Sequence, residues 1–513
     1  MELHLSHERI DHVRSVLNTS VIQEETMEMI VPDALPDILR IICADATVLV
    51  RSKDTDAGRV SVSGIAAATV MYVPDGVGGV RRIVADIPFT TYAAESEITT
   101  VSKVTARVSA VNADASMINP RKFVVRVSLC AALVCYNDAE LSVCSDVEPN
   151  EEAGIEILKE SLAVRIPVDV REKPFVISDE LAIPNSSPQI GEILRSRAVV
   201  TAEETKVVGN KVIFRGNAGI SLLYSPADGG ELCGVELASE FSQIMEFENI
   251  SEECEFELVL MLTGSYIEAG GTDGPDGRQI SVELHVVAQC VAIEKKVVPF
   301  VSDVYSTRFN VTQNAYELAF ENKDSAVRVS SVFRGTLETE DDVSRVLSIS
   351  AAAGTVESTA EDNVITMKAP LFVTCIYTDG GGRIQSASGR FEAEATGDVR
   401  GVCKYAINAS CGREVYGAPS GNGIELRVPV DFSITGAAPV RVSPVSEISY
   451  DEGTALDTSK MPSLMISKAV SGDTLWKLAK KHHSTTALIL SANGLESEEE
   501  AATGQMLIVP KKR

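Results

Sequence analysis

Residues 21–448 consist mainly of short runs in which apolar and polar positions alternate, separated by turn residues. Val60–Tyr72 and Val212–Tyr224 are two such runs, and they are followed by Asp-Gly turn sequences at 75–76 and 228–229. Alternation with a period of two, rich in β-branched residues and bounded by Asp-Gly or Asn-Gly, is typical of antiparallel hairpins. This part of the chain is therefore predicted to be mainly β.

The strand-like run occurs three times and ends each time in a tyrosine. These residues, Tyr72, Tyr224 and Tyr377, are 152 and 153 residues apart. A glycine lies eight residues before the tyrosine in the first two copies, whereas Ala369 takes that position in the third. A period of this length is too long for a solenoid, so the sequence predicts three complete β domains in tandem.

An Ile-Leu-Arg sequence precedes the tyrosine at residues 38–40 and 193–195, and Val343–Leu347 is a weaker counterpart in the third copy. We expect three antiparallel, sandwich-like repeats that behave as separate beads joined by short acidic linkers. The predicted boundaries are an N-terminal amphipathic segment at 1–20, repeat 1 at 21–145, an acidic linker at 146–164, repeat 2 at 165–302, repeat 3 at 303–448, a second linker at 449–463 and a C-terminal module at 464–511.

The pattern changes to a helical period after Met465. Apolar positions spaced i, i+3, i+4, i+7 from Leu475 predict a helix that begins at Asp473 or Thr474. A second short helix is predicted over 486–493, with Gly494 as its stop, and 506–510 would form a closing strand. The expected result is a βααβ module whose core rests on Leu475, Trp476, Leu478, Ile489, Leu507 and Val509.

This module resembles the LysM family. The resemblance lies in Gly472-Asp-Thr-Leu-Trp-x-Leu-Ala479, in Leu490 and Asn493, and in Gly504-Gln-x-Leu-x-Val-Pro510. LysM modules bind N-acetylglucosamine-containing glycans in a shallow groove between two loops, and the resemblance implies a groove formed by Gly472, Asp473, Thr474, Asn493, Gly494 and Leu495. Acidic residues at 496 and 498–500 crowd that groove and disfavour an anionic wall polymer.

Three β repeats followed by a LysM module resemble the SipL type of spore coat morphogenesis protein, whose repeated domain is called SPOCS. The matching residues are the Ile-Leu-Arg at 38–40 and 193–195 and the Gly-x7-Tyr-turn at 64–76 and 216–229. The resemblance implies a scaffold in the mother-cell cytoplasm that helps to place the coat on the forespore. It also implies a partner, the SpoIVA-like coat-basement ATPase.

Composition and motifs argue against several other classes of function. The net charge is −27, and because the last 49 residues carry +2, the preceding 464 carry −29, which disfavours nucleic acid and anionic lipid as partners. We find no secretory signal, no apolar stretch long enough to span a membrane and no catalytic motif, so we expect a cytoplasmic protein that is not an enzyme.

The ten cysteines are scattered and expected to be reduced. His4, His7 and His12 are interpreted as solvated helix residues, so neither a metal nor a cofactor is expected.

The functional candidates lie in the LysM-like module. A positive helix face, with Trp476 at its edge, is predicted to dock on an acidic surface of the partner; its members are Trp476, Lys477, Lys480 and Lys481. Two alternatives stay open, since this face could be merely solvated and the chain could instead be a cell-wall protein that binds peptidoglycan.

Overall fold

The computed structural model describes residues 2–148, 152–248, 250–270, 277–324, 326–399, 404–412, 414–421, 423–457, 462–468, 474–497, 500 and 505–511. The described chain is mainly antiparallel β-sheet, and its two short helices lie near the C-terminus. The prediction of a mainly β protein with a small βααβ module is therefore confirmed.

Repeat 1 is a sandwich of two three-stranded sheets. The sheets have the orders β2-β3-β4 and β1-β6-β5, and apolar side chains from both sheets share one core. Alternate positions of the central strands face that core, as the period of two requires. The strands are β1 (Leu5–Ile30), β2 (Ile38–Asp56), β3 (Arg59–Pro74), β4 (Arg81–Ala94), β5 (Lys103–Asn119) and β6 (Lys122–Val147).

Repeat 2 has the same topology and its own core. Its sheets have the orders β8-β9-β10 and β11-β12-β7. The strands are β7 (Ile155–Ala182), β8 (Ile190–Val208), β9 (Lys211–Pro226), β10 (Cys233–Glu246), β11 (Glu255–Ala269) and β12 (Gln279–Ser306).

Repeat 3 has the same plan with interrupted strands. One sheet pairs β16, β17 and β19 with β18, and the other pairs β14, β15, β20 and β21 with β22, while β13 pairs with β23. The strands are β13 (Phe309–Ala315), β14 (Leu318–Lys323), β15 (Val327–Glu338), β16 (Val343–Ala353), β17 (Glu357–Glu361), β18 (Val364–Asp379), β19 (Ile384–Asp398), β20 (Lys404–Cys411), β21 (Tyr416–Ser420), β22 (Gly423–Val442) and β23 (Val445–Ala455).

The strand register corrects the alignment of the Ile-Leu-Arg sequences. Tyr72 pairs with Ile41, and Tyr224 pairs with Ile193. Ile193-Leu-Arg is therefore the counterpart of Ile41-Ile-Cys43, three residues after the Ile-Leu-Arg at 38–40. Ile38 and Ile190 both lie 34 residues before their tyrosine, so the shared Ile-Leu-Arg letters gave the wrong alignment. The strands β2 and β8 each contain three register shifts at equivalent places, which supports the corrected alignment.

The second register shift puts a bulge residue at the same place in all three repeats. These residues are Ile42, Leu194 and Leu347, each skipped in the pairing with the tyrosine-bearing strand. They meet in a shared apolar cluster that we call the central cluster, which comprises Ile42, Cys43, Met71, Val80, Leu194, Leu223, Leu232, Leu347 and Ile376. The three repeats therefore surround a common pseudo-threefold axis.

Polar contacts close the ring of repeats around this axis. Arg40 of repeat 1 donates to Gln385 of repeat 3 at 2.8 Å. Its equivalent Arg345 in repeat 3 lies 3.6 Å from Glu231 of repeat 2. Arg195 of repeat 2, almost completely buried, pairs with Asp45 of repeat 1 at 3.0 Å. The repeats are therefore not separate beads, because each one buries apolar side chains against the other two in the central cluster.

Long strands extend this association beyond the sandwiches. The ends of β1/β6, β7/β12 and β14/β22 pack together as three two-stranded arms, which we call the stalk. Its apolar interior includes Ile10, Leu141, Val143, Leu162, Val164, Ile166, Val298, Phe300, Leu318, Phe320, Val440 and Val442.

The stalk also corrects three predicted segments. The N-terminal segment is strand β1 rather than a helix, with His7 and His12 in the pairing to β6. Residues 155–164 of the expected first linker belong to β7, and residues 449–455 of the expected second linker belong to β23. In β1 and β7 the apolar positions of these stretches, such as Ile10, Leu162 and Val164, become buried when the three arms meet. In residues 449–455, Tyr450 is buried and packs on Phe309.

Candidate functional site: the LysM module and its docking surface

The C-terminal module folds as its sequence pattern predicts. It comprises β24 (Leu464–Lys468), α1 (Leu475–His482), α2 (Thr486–Asn493) and β25 (Met506–Pro510). Thr474 and Thr485 are the N-caps, and their hydroxyls accept the backbone N–H three residues on, each at 3.2 Å. His483 and Gly494 end the helices in the left-handed conformation, with φ of 50° and 63°.

The predicted core residues are all buried together, but the core does not end at the module. Tyr305, from the last residues of β12 at the foot of the stalk, belongs to the same cluster. Its ring contacts Trp476 edge-on, with centroids 4.8 Å apart, and its hydroxyl donates to the carbonyl oxygen of Ser484 at 2.8 Å. The module is therefore docked on the repeats rather than tethered to them.

Asp303 is the polar centre of this contact. One carboxylate oxygen accepts the indole N–H of Trp476 at 2.8 Å, and the other accepts Lys480 Nζ at 2.5 Å and Gln313 Nε2 at 2.6 Å. Burial by itself raises the pKa of Asp303, but the hydrogen bonds from Lys480, Trp476 and Gln313 outweigh it and lower the pKa overall. Asp303 is thus held as a carboxylate with three donors from two parts of the chain.

The docking candidates predicted from sequence therefore divide into two groups. Trp476 is 7% exposed and already bound to Asp303, so it is not open to a partner in the docked state. Lys480 also pairs with Asp303, but its side chain stays 40% exposed. Lys477 and Lys481 are exposed on the same helix. Sequence reasoning missed Asp303 and Tyr305 because an alternating pattern predicts the strand but does not show that its last residues contact another domain.

The predicted glycan groove is described in part. Gly472 and Asp473 lie outside the described residues, whereas Thr474 and Gly494 are exposed and Leu495 is half-buried. Asn493 has a structural role, because its side chain donates to Ile489 and Ile508 carbonyls at 2.7 Å and accepts the Ile508 N–H at 2.8 Å. Asn493 therefore joins α2 to β25.

The outer face of the two-stranded LysM sheet is apolar and largely exposed in the part of the chain that the structure describes. Leu464, Ile466 and Met506 are 54%, 62% and 60% exposed, and Ile508 lies opposite Ile466 in the pairing. Exposed apolar side chains that are contiguous on one face are typical of an interaction surface. The sequence carries a signal for this face, since Leu464–Ile466 is apolar at three consecutive positions and so on both sides of the strand.

Comparison with known protein families agrees with this architecture. The LysM domain model matches residues 468–510, and the model described as SipL, SPOCS domain, matches residues 37–118 and 189–266. The chain has a SipL-like architecture. Each SPOCS match spans the four strands β2–β5 or β8–β11, so it leaves out most of the stalk. No curated protein and no solved structure gives a significant match.

The LysM and SPOCS families are non-catalytic binding and scaffold domains. Burial raises the pKa of the Cys290 and Cys375 thiols to about 12, so these cysteines are not poised nucleophiles. Among the described residues, no cluster of His, Cys, Asp or Glu has the arrangement of a metal site. Within the same part of the chain, no helix is long and apolar enough to cross a membrane.

Proposed function

We propose that this chain is a non-enzymatic scaffold of spore coat assembly in the mother-cell cytoplasm. In this proposal the three repeats form one rigid body, and the LysM module attaches it to a coat morphogenetic protein at the forespore surface. The partner is a coat-basement ATPase of the SpoIVA type. The observation that carries the proposal is the LysM module docked on SPOCS repeats with its apolar sheet face largely exposed.

The arrangement of the module favours a protein partner. Its α1 side is bound to Asp303 and Tyr305, so a partner of the docked protein meets the outer sheet face, Leu464, Ile466 and Met506, bordered by Lys468. An apolar patch with a basic rim suits an acidic protein with its own apolar patch. In this proposal the partner site lies on the sheet face of the module rather than on its helix face.

The test is capture of the ATPase by full-length variants. Ile466→Glu places a charge in the apolar face and should weaken capture about tenfold or more, since buried apolar anchors commonly contribute 2 kcal/mol or more. The matched control is Val297→Glu, because Val297 is 64% exposed on the stalk and Ile466 is 62% exposed. Loss of capture by both variants, or by neither, would contradict the proposed surface.

A second candidate function is binding of N-acetylglucosamine-containing glycan, as in a peptidoglycan-binding wall protein. The observation that favours it is that Thr474 and Gly494 of the groove stay exposed when the module is docked. Sedimentation of the full-length chain with purified peptidoglycan tests it. Binding that survives Ile466→Glu and is lost on Thr474→Asp, which puts a charge in the groove but keeps a capping side chain, would support glycan recognition over the scaffold proposal.

A further inference from the structure

Asp303 and Tyr305 form a small recognition motif on strand β12. They are two residues apart, so their side chains lie on the same face of the strand. Both contact the LysM module, and His483 Nδ1 lies 3.2 Å from the backbone carbonyl oxygen of the following residue, Ser306. Most of the polar contacts of docking therefore come from one short pattern in an extended segment. The pattern is an acidic residue, then any residue, then an aromatic residue.

The complementary face of the module has matching groups. Trp476 Nε1 and Lys480 Nζ bind the carboxylate, the indole ring packs on the tyrosine ring, and the Ser484 carbonyl accepts the hydroxyl. The contact thus joins two short segments, 303–305 of the stalk and 476–484 of the module, through hydrogen bonds and one ring contact. A segment of another protein with the same chemistry would satisfy the same groups.

We infer that the α1 face of the LysM module is a binding site for an extended acidic-x-aromatic segment, which the chain's own Asp303–Tyr305 occupies. A segment of this type in a partner competes with the self-docked segment and releases the module from the stalk. The inference deepens the proposed function by naming the chemistry of a second contact with the partner, and it rests on that function for the partner's identity.

Self-docking makes the site harder to reach, which has a measurable consequence. A segment on the same chain acts as a competitor at an effective concentration of the order of millimolar. A free peptide therefore binds the unaltered chain weakly, and removing the internal segment's side chains increases the affinity. Removal of the two side chains should improve peptide binding at least tenfold.

The experiment uses the full-length chain and a peptide with the sequence of residues 300–308. Trp476 is the single tryptophan of the chain, so its fluorescence reports the site directly. The chains compared are the unaltered protein, Asp303→Asn with Tyr305→Ala, and Asp303→Asn alone. We expect the double variant to show red-shifted emission that returns towards the unaltered value as peptide is added.

Two controls make the result decisive. Asp146→Asn removes another stalk carboxylate, which pairs with Lys159 at 2.9 Å, and it should leave both emission and peptide binding unchanged. A peptide with Asn and Ala in place of the acidic and aromatic residues should not bind. Equal peptide affinity for the unaltered and double-variant chains, or no binding to a double variant with exposed Trp476 and native circular dichroism, would overturn the inference. Since no ATPase is used, this result is independent of the capture experiment.

Discussion

At the scale of single residues, the glycine of the repeated strand is explained by what lies across from it. A Cβ on Gly216 would come within 2.0 Å of the Thr201 carbonyl oxygen and 2.8 Å of the Phe241 ring. Phe241 is the cross-strand neighbour of Gly216, just as Phe89 is of Gly64. The small residue makes room for an aromatic ring and a close main-chain approach.

The third repeat tolerates alanine at this position because both of those neighbours differ. The cross-strand neighbour of Ala369 on β19 is Ala393, in place of the phenylalanine of the other two repeats. On its other side the facing strand is interrupted, since β16 ends at Ala353 and β17 begins at Glu357. The alanine at position 369 is therefore accommodated by changes in the two neighbouring strands of the third repeat.

Gly216→Ala should destabilise the protein by about 1–3 kcal/mol, the usual cost of overpacking a core. The reverse change at the equivalent position, Ala369→Gly, should cost about 0.5–1 kcal/mol, because it adds backbone entropy without relieving a clash. Urea unfolding followed by circular dichroism measures both. A smaller effect for Gly216→Ala than for Ala369→Gly would show that the strands can move apart at no cost.

At the scale of elements, helix α1 has two roles that the sequence pattern does not distinguish. Its Leu475–Leu478 side closes the LysM core, and its Trp476–Lys480 side docks on the stalk. The indole ring takes part in both, since it is buried in the cluster and donates to Asp303. Docking is thus continuous with the module's own core.

Acid should undock the module before it unfolds the sheets. Asp303 has a lowered pKa in the docked state, so its carboxylate stabilises docking fully at pH values above 3.8, the ordinary pKa of an aspartate. This contribution is lost as the pH falls through the lower pKa of the docked state. Trp476 emission should therefore shift to the red below about pH 4. Asp303→Asn should already be shifted at neutral pH. Coincident changes in fluorescence and circular dichroism in both proteins would show that docking does not depend on Asp303.

At the scale of the whole molecule, the three repeats form a closed ring inside one chain. The bulge residues Ile42, Leu194 and Leu347 meet on the pseudo-threefold axis, and the three arms of the stalk meet in a second apolar cluster. Covalent linkage lets the equivalent positions differ, as Cys43, Arg195 and Ser348 do. Arg195 pairs with Asp45 of repeat 1, so it distinguishes one interface from the other two.

Two leucines that share the Ile-Leu-Arg sequence should behave differently. Leu194 is fully buried in the central cluster, so Leu194→Ala should cost about 2–5 kcal/mol. Leu39 is 57% exposed, so Leu39→Ala should change stability by about 0.5 kcal/mol or less. Thermal unfolding of the two variants measures the difference. Similar losses of stability would mean that the central cluster is not formed in solution.

The sequence by itself determined the local structure of this protein. Alternation and turn residues specify strands because the side chains of a strand have a period of two, and the Thr caps and Gly494 specify the helix ends through backbone hydrogen bonding. The repeat period and the LysM residues then gave the domain order. Alternation, turns and caps act between residues close together in the chain, and the repeat period is read by comparing such local patterns.

Only the tertiary structure decided how the parts meet. The bulges that send Ile42, Leu194 and Leu347 to one axis depend on strand register, which spacing along the chain does not fix. The stalk strands alternate between polar and apolar residues, and one strand pair alone would leave its apolar side exposed. That side is buried because each arm packs against the two others. Asp303 and Trp476 are 173 residues apart, and their hydrogen bond follows from the positions of whole domains rather than from any local pattern.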